Sequence, residues 1–157
     1  MKSSFSRSFS AIAAILLLAL TALGASFQIL VRNFLTDASV SGLTQDAAII
    51  ANLASAYSLD DSLSSREFLL NLDIASQVSD SDVVICDAQG NILLCSDSLL
   101  GCEHQGMRFD SSYVQKVIQS GGDTASGVIS GLYPEHRFVA ATPIPGTEGP
   151  TGIVIVS

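Results

Sequence analysis

The segment "VVICDAQGNILLCSDSLLGCEHQG", residues 83–106, holds all 3 cysteines of the chain, Cys86, Cys95 and Cys102, together with His104, one of its 2 histidines. Thiolate and imidazole are the atoms zinc takes, so Cys95, Cys102 and His104, with Asp97, offer a metal-ligand set. The spacing matches no zinc pattern, and a second paired-cysteine motif is missing. A catalytic thiol needs a general base and a group that orients it, and no such signature accompanies His104. The third chemistry is oxidation. Cys95 and Cys102 are separated by six residues including Gly101, slack enough to bring two Cα atoms within the roughly 4.4–6.8 Å a disulfide tolerates. Closing so short a loop contributes on the order of 2–3 kcal/mol, and exported thiols oxidise. The expectation is a Cys95–Cys102 disulfide with no metal, cofactor or catalytic residue, free thiols being the other alternative. Cys86 then counts as a small buried hydrophobe.

A second cluster, "LYPEHR" at residues 132–137, brings Tyr133, Glu135, His136 and Arg137 together between two strand patterns. An inter-strand loop is polar wherever it is wet, so the cluster alone assigns nothing. Histidine is the side chain suited by type to report acidity, which makes His104 and His136 candidates no stronger than any exposed histidine. The carboxylates form no calcium loop of the D-x-[DN]-x-[DN]-G type.

The elements that must position these residues are set by periodicity. "DVVICDAQGNILLCSD" places two strand-forming runs around "DAQG", which suits a type I turn with a bulged glycine. With Asp87 and Asn91 closing the turn, the predicted register pairs Cys86 with Ile92, Ile85 with Leu93 and Val83 with Cys95. Cys86 would then share a face with Ile92 and Leu94, and Cys95 would point to the other. "DSSYVQKVIQSGG" is a short helix capped by Asp110 or Ser111 and stopped at Gly121 or Gly122. "TASGVISG", "RFVAATPI" and "TGIVIVS" supply three further strands. Upstream, Leu43, Ala47, Ile50, Leu53 or Ala54 and Tyr57 recur at helical spacing. "SLDDSLS", residues 58–64, breaks that pattern. "SSRE" then opens a second helix as a capping box, Ser64 at the cap and Glu67 three positions on, burying Phe68, Leu69, Leu72 and Ala75.

The chain has 157 residues, of which 48% are hydrophobic and 14% charged. The apolar excess sits at the N-terminus, where no charge lies between Arg7 and Arg32 and residues 11–31 match the ~20 apolar residues that cross a bilayer. A signal peptide fits too, with Lys2 and Arg7 as its basic start and "ALGA" for cleavage. The run continues through Phe27, Ile29, Leu30 and Val31, past the end of an ordinary signal core, which favours a retained anchor. Either way the basic residues hold the N-terminus in the cytoplasm, and the rest of the chain is exported. Beyond residue 31 the chain keeps 5 of its 7 Lys and Arg and all 15 Asp and Glu. Such an acidic surface argues against nucleic acid and against an anionic membrane face.

The sum is an α+β protein: an N-terminal transmembrane helix continuing into a long helix, then a five-stranded antiparallel sheet with a crossover helix. The expected divisions are a cytoplasmic N-terminus (1–10), the membrane helix (11–31), a membrane-proximal helix (32–58) and an extracytoplasmic domain (59–157). This order, with "DVVICDAQGNILLCSD", "GLYPEHRFVAATPI" and the closing "GIVIVS", resembles the extracytoplasmic sensor region of bacterial two-component histidine kinases. More narrowly, it is similar to the PAS-like single Cache (PDC) domains of kinases from Gram-positive anaerobes. The resemblance implies a ligand pocket made by the sheet face, the crossover helix and nearby loops, which makes Arg108, Tyr133, His136 and Arg137 ligand-binding candidates for a small molecule or peptide. An arginine there can clamp a carboxylate. It also implies a homodimer and a downstream kinase with its response regulator. In that family a second membrane helix leads to the kinase; this chain ends at Ser157 and carries no nucleotide loop, so it is expected to be a receptor's input half and not itself an enzyme. The alternative is a secreted or surface-anchored binding module without a kinase partner.

Overall fold

The computed structural model describes residues 4–58, 63–99, 101, 102, 104, 106–129 and 132–157. Among the described residues, three α-helices, α1 (Ser4–Ser58), α2 (Arg66–Ser79) and α3 (Ser111–Ser120), and a short 3-10 turn (Ser96–Leu99) accompany five strands: β1 (Val83–Asp87), β2 (Ile92–Cys95), β3 (Asp123–Ile129), β4 (Tyr133–Ile144) and β5 (Gly152–Val156). The chain forms two compact units, residues 1–38 and 39–157. Most of the break expected at "SLDDSLS" falls on residues 59–62, outside the described ones.

In the first unit the helix exposes apolar side chains on every side, among them Ile12, Leu17, Leu20, Leu23, Phe27 and Leu30. Its most apolar window has mean hydropathy 2.3 and nothing covering it, and among the described residues this is the one helix long and apolar enough to cross a membrane. A helix greasy all round belongs in a core or a bilayer, since water solvates neither side.

The second unit is a single antiparallel sheet in the order β2-β1-β5-β4-β3. Both faces are covered. One side carries Val83, Ile85, Leu94, Ala140, Ile144, Val154 and Val156, which share a core with Ala47, Ile50, Ala51 and Ala54 of α1 and Phe68 and Leu72 of α2. The other carries Val84, Cys86, Ile92, Cys95, Val139, Ala141, Ile153 and Ile155 under Phe109 and α3 residues Val114 and Val117. The central strands therefore read as unbroken apolar runs, β5 being buried at all 5 positions.

Local chemistry sets the element ends. The N-cap of α2 is Ser65, whose Oγ accepts from Phe68 N at 3.2 Å. This corrects the expected Ser64 by one residue and leaves Glu67 one place short of the capping-box position. Leu69 and Ala75 are half-buried; Phe68 and Leu72 are the residues α2 buries fully. Asp110 caps α3, accepting from Ser112 N at 2.9 Å, and Gly121 ends it in the left-handed conformation.

The hairpin register departs from the predicted one. Cys86 faces Ile92 as expected, but Ile85 pairs with Leu94 and Val84 with Cys95, because a bulge inserts Leu93 as an extra residue. The inserted residue shifts the phase of β2, so Cys95 joins Cys86 on the α3 side and Leu94 moves to the α1 side. "LYPEH" is also not the loop its polarity suggests. Tyr133 to His136 begin the 12-residue β4, and Tyr133 pairs with Ile129.

Phe68 is fully buried between helix and sheet, so Phe68→Ala should cost about 3–5 kcal/mol. Val78→Ser, at an 83% exposed position of the same helix, should stay within about 0.5 kcal/mol. Denaturant melts of the two variants check the assignment of the α2 face.

Candidate ligand site at the start of strand β4

Strand alternation puts Tyr133, Glu135, Arg137 and Val139 on one side of β4, the side α3 covers. Arg137 makes an ion pair with Asp82, which immediately precedes β1, and stands 3.8 Å from Glu135. Its guanidinium carbon lies 4.3 Å from the Tyr133 ring centre, a cation–π contact. The opposite partner of Tyr133 is His104, edge-on at 5.6 Å between ring centres. His104 in turn places Nε2 2.9 Å from the carbonyl of Leu132. The result is a continuous row, Asp82, Arg137, Tyr133, His104, that no two-residue motif could have announced.

Asp82 is held in place by its backbone, which exchanges two 2.9 Å hydrogen bonds with Ser157. An open cleft of about 370 Å³ borders this pair, lined by Ser76, Gln77, Asp80, Ser81, Asp82, Arg137 and Ser157. The hydrogen bond and charge of Asp82 raise the Arg137 pKa further, so the guanidinium is charged at every relevant pH. Burial raises the Tyr133 phenol and, with Asp82 and Asp97, outweighs the lowering by a Ser157 hydrogen bond and by Arg137, so the hydroxyl stays protonated. Arg137 is already paired with Asp82, so an anionic or carboxylate-bearing ligand would have to displace that partner to reach it.

Of the four ligand candidates, Tyr133 and Arg137 meet. His136 lies on the opposite side of β4 and is exposed. Arg108 is exposed beside the β1–β2 turn, where its Nε donates to the Gln89 carbonyl at 3.3 Å. Asp82 joins the site without any local sequence signal, since its partner is 55 residues away.

The cysteines lie on the same side of the sheet. Cys95 and Cys102 form a disulfide with Cα atoms 6.0 Å apart. Cys86 is a free, buried thiol, pushed up to about 12 by burial and then by Asp87. It is inert at neutral pH.

An antiparallel sheet of this order, with a helical crossover over one face, is the PAS-like fold of histidine-kinase sensor domains, and two solved structures carry it. The V. cholerae histidine kinase DctB sensor domain matches with a TM-score of 0.62 at 18% identity, over 87% of this chain and 55% of that one. The E. coli DcuS sensor domain matches with a TM-score of 0.51 at 14% identity, over 75% of this chain and 88% of that one. The chain thus spans about half the length of the DctB domain, and at such identities the likeness is one of fold. No family model and no curated protein matches the sequence.

The turn beside Arg108 yields a pH prediction. Burial would raise the Asp87 carboxyl, but hydrogen bonds from Asn91, Gln89 and Gly90 outweigh it and hold the pKa below the usual value. A lowered folded-state pKa stabilises above the unfolded pKa, about 3.9, and the gain is lost as pH falls through the folded value. Water screens this exposed turn, so Asp87→Asn should be less stable than the parent at pH 7 by no more than about 1 kcal/mol. Thermal melts should show the difference closing below about pH 4.

Proposed function

We propose that this chain is the membrane-anchored input domain of a two-component sensor histidine kinase, of the PAS-like Cache kind, with no catalytic role of its own. Residues 11–31 span the bilayer, Lys2 and Arg7 keep the N-terminus cytoplasmic, and the sensor domain lies outside. The observation that carries this reading is the sheet order β2-β1-β5-β4-β3 on a chain whose N-terminal helix is apolar on every side. The ligand is a small molecule or peptide carrying a carboxylate, and it competes with Asp82 for Arg137 beside Tyr133. Arg108, beside the β1–β2 turn, and His136, on the other side of β4, stand away from this contact. Two copies pair along their membrane-proximal helices, and ligand binding changes the packing of residues 37–57 against the sheet. The relay to a kinase and its response regulator amounts to no more than the ligand's preference for one packing over the other.

Two outcomes test it. After expression, the chain should stay with the membrane fraction through a high-pH wash and keep its own N-terminus. A mature start near Ala25 or Ser26 would leave a released binding module with no kinase to drive. In a receptor carrying this chain as its input, deleting three residues within "TDASVSG", residues 36–42, turns the following helix by about 300°. Signalling should be scrambled while the domain stays folded; unchanged signalling would sink the helical relay.

A further inference from the structure

The Sγ atoms of Cys95 and Cys102 and one ring nitrogen of His104 lie within 4.8 Å of one another. Cys95 is 4% exposed and the other two are half-buried, so the group is shielded yet reachable. While the sulfurs are bonded to each other they carry no charge and hold no cation. A dithiol changes this by thiol–disulfide exchange: the S–S bond breaks, two electrons and two protons go to the cysteine sulfurs, and the reductant leaves as its own disulfide.

We propose that the Cys95–Cys102 disulfide masks a Cys₂His site for a zinc-class divalent cation, opened by reduction. Two thiolates and an imidazole are three zinc ligands, with the fourth position left to water or an incoming group. Binding releases the two thiol protons to solvent. The backbone need not rearrange: two sulfurs about 2.3 Å from one tetrahedral ion sit roughly 3.8 Å apart, compatible with the 6.0 Å between the Cα atoms. His104 is already braced. Its Nε2 lies 2.9 Å from the Leu132 carbonyl and its ring meets Tyr133 in a T-shaped pair; in the tautomer that donates Nε2–H to that carbonyl, Nδ1 keeps its lone pair. Ligating histidines are commonly fixed by such an outer carbonyl. The site stands apart from the sensor reading and does not need it to be true.

The test is a cobalt(II) titration of the full chain in detergent, untreated and after reduction with a dithiol and desalting under nitrogen. The reduced chain should take up one Co²⁺ with a thiolate-to-cobalt charge-transfer band, displaced by Zn²⁺; the untreated chain should show none. Cys86→Ser should leave the band unchanged. Cys102→Ser should abolish it, and His104→Ala, whose disulfide still forms, should weaken cobalt affinity by at least about 10-fold. No one-to-one thiolate band in the reduced chain would overturn the proposal. So would a band indifferent to His104, one that needs Cys86, or loss of the far-ultraviolet helix and sheet signal on reduction.

Discussion

Everything in the folded unit depends on a sheet that must be dry on both sides. β5 is five consecutive buried residues, and β1 beside it is buried from Val83 to Cys86. A strand with no wet face cannot be satisfied by one layer of helices, so cover must come from two parts of the chain. α3 and the segment after β2 supply one lid. The other comes from α2 and from the last turns of α1, so the helix that is apolar for a bilayer at one end is amphipathic for a core at the other. At the centre, a side chain on Gly152 would run into the Cys86 carbonyl, which is why this strand start carries glycine.

That two-sided burial also decides where chemistry can sit. Polar groups are pushed to the ends of the strands, and the row from Asp82 through Arg137 and Tyr133 to His104 occupies one such end. Its members come from four places in the sequence: the approach to β1, two positions of β4, and the segment beyond the disulfide. The disulfide and the ion pair bracket the row. Tyr133 touches Arg137 on one side and His104 on the other, so it stands between the two.

Much of this architecture is legible from residues alone, where the signal is local. The helical spacing of Ala47, Ile50 and Ala54, the "DAQG" turn and the caps of α3 each depend on neighbours a few positions away. The features that escape such a reading depend on partners far off in the chain. The inserted Leu93 leaves no mark in the turn, so a register counted from the turn alone puts Cys95 on the wrong face. "LYPEH" reads as a loop because Glu135 and His136 are polar, yet each is polar only on a strand edge that water reaches. Asp82 carries no mark at all, since an aspartate before a strand is ordinary until an arginine 55 residues later finds it.

The seat of α1 on the sheet is smooth only along a stripe of alanines. Among the described residues its four fully buried ones are Ile50 and three alanines, Ala47, Ala51 and Ala54, flanked by Leu43, Leu53 and Tyr57, which pack half-buried against the same core. Alanine surfaces let backbones come close but offer little to catch on. A smooth stripe rimmed by larger side chains sets two things apart: the alanines fix how near α1 lies to the sheet, and Ile50, Leu53 and Tyr57 key its angle about its own axis.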